Sequence, residues 1–190
     1  MEKTRAICAI LSTTLALCSW GQTFTISPEE GKPHLRHLHL SHYDFQGKEH
    51  IGELICNEAI AEDLVDIFRE LYKAHYPIER MRPIQEYDND DETSMSANNT
   101  SCYCYRTIAG TQRLSKHATG MAVDINPRLN PCVKLRTGEI SPRNGALYAH
   151  KRQGTGVITR DDLCYRLFVK HGFRWGGAWR NTKDYQHFEK

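Results

Sequence analysis

Beyond Gln22 the chain contains no long apolar run. A membrane-spanning helix needs about 20 consecutive apolar residues, so none is expected in the body of the protein. Charge of one sign is also missing: 25 Lys and Arg against 23 Asp and Glu leave a formal net charge of +2, and no basic tract interleaves with aromatics. Nucleic-acid binding depends on clustered cations, so no nucleic-acid partner is expected. Although there are 7 cysteines, none are spaced C-x-x-C, which sets aside the common cysteine–zinc modules. No internal repeat or low-complexity tract occurs. What is present, 39% hydrophobic and 25% charged residues in 190, is the composition of one globular domain with a respectable core.

A short apolar run does stand at the N-terminus. In MEKTRAICAILSTTLALCSWGQ, Lys3 and Arg5 precede apolar residues from Ala6 to Leu17, and small residues follow. This is the order of an export signal, too short to span a bilayer. Residues 1–21 are therefore expected to be a signal peptide and residues 22–190 a single domain, exported to the periplasm, the cell envelope or the medium. LALC also resembles a lipobox, so a lipid anchor on Cys18 is the alternative to cleavage near Gly21. The mature part keeps Cys56, Cys102, Cys104, Cys132 and Cys164. An oxidising compartment permits one or two disulfides among them, and an odd number leaves a thiol over.

HLRHLHLSHYDFQGKEH, residues 34–50, alternates as a half-exposed strand does, with Gly47 in a turn. His37 and His39 share a face. A surface metal site is one reading, but a polar strand face is preferred, because the sequence fixes no carboxylate or further histidine beside them. The stretch from Ile51 to Pro77 carries Ile60, Leu64, Ile67, Phe68, Leu71 and Tyr72 at helical period, and Pro77 ends it. IERMRPIQEYD suggests a short edge strand around Pro83. The acidic run Asp88–Glu92 lacks the glycine and closing glutamate of a calcium loop and reads as a solvated turn. MAVDIN, residues 121–126, reads as a buried strand stopped by PRLNP. A loop over 137–156 follows, then a helix from a Thr159/Asp162 capping pattern to Gly172, then DYQHFE as a final short strand. Two helices and several short strands without βαβ alternation predict an α+β domain.

All ten histidines lie beyond Gln22, and two segments give some of them a chemical setting. In SKHATGMAVD, His117 precedes Asp124 by seven residues, with Gly120 between. Alternation puts Ala122 and Asp124 on one face and Val123 and Ile125 in the core. A carboxylate in so apolar a strand must be paired or bound to a metal; the plainer reading is a capping Asp124 and an exposed His117, and spacing alone does not choose between the two. DYQHFE supplies His187 as a third ligand, where a terminal surface histidine is the plainer reading. It also supplies Asp184, placed to serve a metal-activated water if the segment turns rather than running straight. Glu189, on the face of His187, could orient a ligand or the substrate.

S-x-H-x-x-G-x-A-x-D, here Ser115, His117, Gly120, Ala122 and Asp124, resembles the zinc motif of the bacterial D-alanyl-D-alanine carboxypeptidase family. That family also contains the D-Ala-D-Ala dipeptidases of vancomycin resistance and phage L-alanyl-D-glutamate endolysins. GGAWRNTKDYQHFE is similar to its second half, where an acidic residue stands three before the last histidine ligand. The likeness extends over most of the mature chain, with NNTSCYCYR similar to the form of a bacterial subgroup. One departure is plain: several members carry glutamate where this chain has Asp184, although related cell-wall peptidases use aspartate.

The resemblance implies a small antiparallel sheet backed by helices, the α+β fold shared with the hedgehog signalling domain. It implies one Zn2+ per chain on His117, Asp124 and His187, and Asp184 as general acid/base. It also implies an arginine that holds substrate and polarises the scissile carbonyl, with Arg106 as first choice and Arg82 as the alternative, each weighed against a structural ion pair. Ser115 would support the substrate or simply the turn. The expected activity is hydrolysis of peptidoglycan stem peptides by a monomer, foremost as a D-Ala-D-Ala carboxypeptidase, with loops around Asp88 and Gly145 closing the ends of the cleft. The alternative is a non-catalytic zinc-stabilised module that binds cell-wall peptides or a protein.

Overall fold

The computed structural model describes residues 22–108 and 110–190; the export-signal and Cys18 readings concern residues outside that set. Strands β1 (Phe24–Glu29), β2 (Lys32–Tyr43) and β3 (Glu49–Asn57) form an antiparallel sheet in the order β1-β2-β3. Period-2 alternation makes it two-sided: Leu38 and Leu40 are fully buried, while His37 and His39 are half-buried on the opposite face. Helix α1 (Glu58–Lys73) covers the inner face with Ile60, Leu64, Ile67, Phe68 and Leu71. The helical period thus holds from Ile60 onward, while residues 51–57 belong to β3. Asn57 starts the helix by accepting from Ala59 N at 3.0 Å. It ends before Pro77 is reached, where His75 turns left-handed at φ 52°.

The chain then gives β4 (Arg80–Met81), α2 (Asp91–Ser96), β5 (Asn99–Thr100), β6 (Ala122–Asp124), β7 (Cys132–Lys134), β8 (Glu139–Ser141), α3 (Ala146–His150), α4 (Leu163–Lys170), β9 (Arg174–Trp175), β10 (Thr182–Asp184) and β11 (His187–Glu189). The class is α+β as expected, but instead of one sheet there are several. Strands β6-β11-β9 and β10-β7-β8 form two more antiparallel sheets, and β4 and β5 pair in parallel. Pro127, Pro131 and the left-handed Gly138 interrupt this half of the chain, and its strands stay short. Among the described residues no helix is long and apolar enough to cross a membrane.

Three local expectations are corrected. Residues 91–96 of the acidic stretch are the helix α2, capped by Asp90, which accepts from Thr93 N at 2.7 Å. Helix α4 is capped by Asp162, not Thr159: the Asp162 carboxylate accepts from Cys164 N at 2.8 Å. Finally, the five cysteines among the described residues form no disulfide. Cys56, Cys102, Cys104 and Cys164 are buried and pack as small apolar groups. Burial pushes their thiols up, that of Cys104 to about 11.

One continuous core links the first sheet to the C-terminal strands, through Leu38, Leu54, Phe68, Val123, Phe168 and Phe188. Phe168 stacks on Phe188 with ring centroids 4.3 Å apart. Full burial of such a side chain contributes about 1.5–3 kcal/mol. Phe188 therefore anchors the strand that carries His187 and Glu189.

Candidate metal centre

His117 lies in a single helical turn, Lys116–Thr119. Ser115 caps that turn, its Oγ accepting from His117 N at 3.2 Å. Gly120 ends the turn at φ 68°, a conformation that favours glycine, and a Cβ there would fall 2.6 Å from Asn57 N. The close approach is used: Asn57 N donates to Gly120 O at 2.9 Å and Asn57 Nδ2 to Thr119 O at 3.0 Å. Serine and glycine of the motif thus clamp the histidine turn to the corner between β3 and α1.

Asp124 and His187 are register partners across β6 and β11, and Val123 and Phe188, the next pair, point into the core. The segment DYQHFE does turn. Asp184 ends β10, residues 185 and 186 bend the chain out of that sheet and into β11, and Trp175 Nε1 donates to Tyr185 O at 2.9 Å to hold the bend. Gly176 makes room for it, because a Cβ there would lie 2.7 Å from Asp184 O and 3.2 Å from His187 Cβ.

These elements bring three buried side chains to one point. His117 Nε2 lies 3.1 Å from His187 Nδ1 and 3.2 Å from Asp124 Oδ2, and His187 Nδ1 lies 3.1 Å from Asp124 Oδ1. Hydrogen bonds on the far side of each ring decide what faces inward. His117 Nδ1 must carry its proton, because it donates to the Cys102 carbonyl at 2.6 Å; its Nε2 then presents a lone pair. His187 Nε2 is held in the same way by Glu189 Oε2 at 3.3 Å, which turns Nδ1 inward. Two imidazole lone pairs and a carboxylate at such distances repel one another unless a cation, a proton or a metal, lies among them. A tetrahedral zinc with bonds of about 2.0–2.1 Å spaces its ligands roughly 3.3 Å apart, so this donor set fits zinc with almost no movement.

The electrostatics agree. Burial would raise the Asp124 carboxyl, but His117 and His187 hold it well below the usual carboxylate range. Burial would likewise discharge His187, yet its bonds to Asp124 and Glu189 push it up to about 10. A proton on His187 fills the place of the cation, and a metal must displace it.

Asp184 is the carboxylate beside this trio that none of the three uses. Its Oδ1 is buried without a hydrogen-bond partner among the described residues. Burial pushes its carboxyl up to about 6; the charges of His187 and His117 oppose the rise and that of Asp124 adds to it. With Asp184, His117 and His187, the residues Arg106, Ser115, Lys116, Arg174, Trp179 and Glu189 line a cavity of about 530 Å³. Arg106 reaches it in an ion pair, Nε to Asp91 Oδ2 at 2.9 Å. Arg82 does not: it lines a separate hollow with His42 and Glu86, and its Nη1 lies 3.6 Å from Glu53 Oε1. Nor do Asp88 and Gly145 line the cavity. Instead Glu92 accepts from Ser141 Oγ and Arg143 N, tying α2 to the segment before Gly145.

Asp91 and Trp179 are among the residues of this site that the sequence motifs do not single out. Asp91, which holds Arg106, was hidden in the acidic run; the signal was Asp90 standing three before Thr93, a helix-capping spacing. Trp179, whose ring centroid is 5.2 Å from that of His187, stands just after the Gly176–Gly177 pair and could have been suspected from it.

Residues 109–190 match the family model described as D-alanyl-D-alanine carboxypeptidase. The match includes His117, Asp124, Asp184 and His187 and begins after Arg106. No curated protein and no solved structure gives a match.

Proposed function

We propose that this chain, whose residues 109–190 belong to the D-alanyl-D-alanine carboxypeptidase family of zinc-dependent metallopeptidases, hydrolyses peptidoglycan stem peptides and foremost releases their terminal D-alanine. The observation that carries the reading is the pairing of a three-ligand cluster with a carboxylate beside it, Asp184, whose buried Oδ1 has no hydrogen-bond partner among the described residues. A structural zinc site is normally closed by four protein ligands, whereas a catalytic one keeps a position open.

Zinc, when bound by His117 Nε2, Asp124 and His187 Nδ1, supplies Lewis acidity for the scissile carbonyl and for water at neutral pH. The chain's own residues do the rest. Asp184, with a carboxyl raised toward neutrality, takes the proton of the attacking water and returns it to the departing amine nitrogen. Arg106 holds the carbonyl oxygen as negative charge develops on it, or the substrate carboxylate, and Asp91 keeps its side chain directed into the cavity. Ser115 holds the His117 turn. Glu189 and the Cys102 carbonyl keep both imidazoles in the tautomers that ligation needs. Arg113, Lys116 and Arg174 add positive charge around the opening, which suits the carboxylates of stem peptides. The apolar leader over residues 1–21 fits export to where those peptides are found.

The test is incubation of the purified protein with stem peptides of defined length, with and without a chelator, and mass spectrometry of the products. Loss of one D-alanine, abolished by chelator and restored by zinc, is expected. Loss of a dipeptide or internal cleavage would reassign the bond. No product from any peptide would overturn the enzyme reading in favour of a zinc-stabilised binding module.

A further inference from the structure

The first sheet carries a second cluster of the same residue types, away from the cavity. Strand β2 presents His37 and His39 on its outer face, and β3 places Glu53 directly opposite His39. His37, two residues along, reaches Glu53 on the diagonal, Nε2 to Oε2 at 2.9 Å. Cross-strand neighbours at this separation are within reach of long side chains. The two imidazoles stack, with centroids 4.7 Å apart and 16° between their planes. One ligand atom from each of His37, His39 and Glu53 lies within 4.8 Å of the others. The carboxylate that the sequence left unidentified is therefore fixed beside both histidines.

We propose that His37, His39 and Glu53 form a second, surface site for a divalent transition-metal ion such as zinc, copper or nickel. The side chains around the trio support this. On its far side His37 Nδ1 faces Glu29 Oε2 at 3.6 Å, so Nε2 is the nitrogen directed toward Glu53. Glu53 Oε1 faces Arg82 at 3.6 Å, leaving Oε2 for the histidines. Lys32 Nζ lies 4.0 Å from Glu29 Oε1, so each carboxylate already has a cation near it. Excess negative charge is therefore not what would draw in an ion. Two imidazole nitrogens with one oxygen select transition metals over calcium or magnesium, which take oxygen donors. All three ligand residues are half-buried, so further positions are left to water or to a ligand from a second molecule. The strands beneath are bonded in continuous register from Leu35 to Tyr43, which keeps the backbone of the site rigid.

The experiment is a titration of the metal-free, full mature protein with buffered zinc, read as zinc per chain after gel filtration. Two equivalents are expected, the weaker of which is lost or weakened at least about tenfold in Glu53→Gln and in His39→Gln. A loss of that size is what removing a supporting hydrogen-bond partner alone can cause. Both variants should keep the tighter equivalent and peptide hydrolysis. In the wild-type protein the second equivalent should shift the imidazole NMR signals of His37 and His39, a readout independent of whether the variants fold. Binding of only one equivalent, a second equivalent indifferent to both substitutions, or shifts confined to other histidines would overturn the site.

Discussion

Two clusters of two histidines and one carboxylate stand among the described residues, and they differ in burial, in spacing and in what surrounds them. The inner one, His117, Asp124 and His187, is almost wholly buried, with donor separations of 3.1–3.2 Å. Both of its imidazoles are locked from behind, by the Cys102 carbonyl and by Glu189. The outer one, His37, His39 and Glu53, is half-buried and looser. There His39 is steadied by stacking on His37. Each cluster also has an arginine nearby, Arg106 held by Asp91 within and Arg82 beside Glu53 without. Among the described residues the inner cluster adds a further carboxylate with a buried, unbonded oxygen, Asp184 Oδ1, and a cavity. Ligand identity gives metal affinity, whereas a neighbouring proton carrier and a space for substrate give a reaction.

The contrast is sharpest at the ligands. His117→Ala or His187→Ala is expected to remove the tight zinc and bring hydrolysis below detection, whereas His39→Gln should leave turnover within about twofold, the range of a surface change. Metal content and turnover measured on the same samples check both. The arginines come next. Arg106→Ala is expected to lower kcat by about 10²–10³-fold, the usual cost of losing a group that stabilises developing negative charge; Arg82→Ala should leave it nearly unchanged. An equal loss in both would erase the distinction between the two regions.

Protons separate the regions again, with a smaller effect. Burial lowers His42, on the first sheet, from 6.5 to about 4, and the nearby charge of His50 adds to the fall. His187 is about as deeply buried but is pushed up, because Asp124 and Glu189 face it. His42 is therefore neutral in the fold, and between pH 6.5 and 4 the unfolded chain binds the extra proton. The stability tied to His42 is fully present above pH 6.5 and is lost as pH falls toward 4, by about 3 kcal/mol at most. Urea midpoints at pH 7 and 4.5 check this: the wild type should lose more on acidification than His42→Gln. Equal losses would show that His42 is not the group responsible.

How much of this could be read from the chain follows distance along it. The helix from Ile60 and the buried strand within MAVDIN are local patterns, set by 3.6- and 2-residue periods, and they hold, the strand over Ala122–Asp124. The turn inside DYQHFE is not legible locally, because no local pattern reports that Gly176 and Trp175 shape it from outside. Glu53 beside the histidines of β2, Asp91 beside Arg106 and the separation of Arg82 from the cavity all depend on strand register and packing between distant segments. The single expected sheet became several for the same reason: prolines and glycines mark where strands stop, not which strands pair.

In the proposed reaction Asp184 moves the proton for a zinc held by His117, Asp124 and His187. The most direct measurement is turnover of zinc-loaded Asp184→Asn on a peptide ending in D-Ala-D-Ala, with metal content determined on the same sample. Zinc is expected to stay at the inner site while kcat falls by about 10²–10⁴-fold, the range for loss of a general acid/base. Unaltered turnover with the metal in place would contradict that role for Asp184.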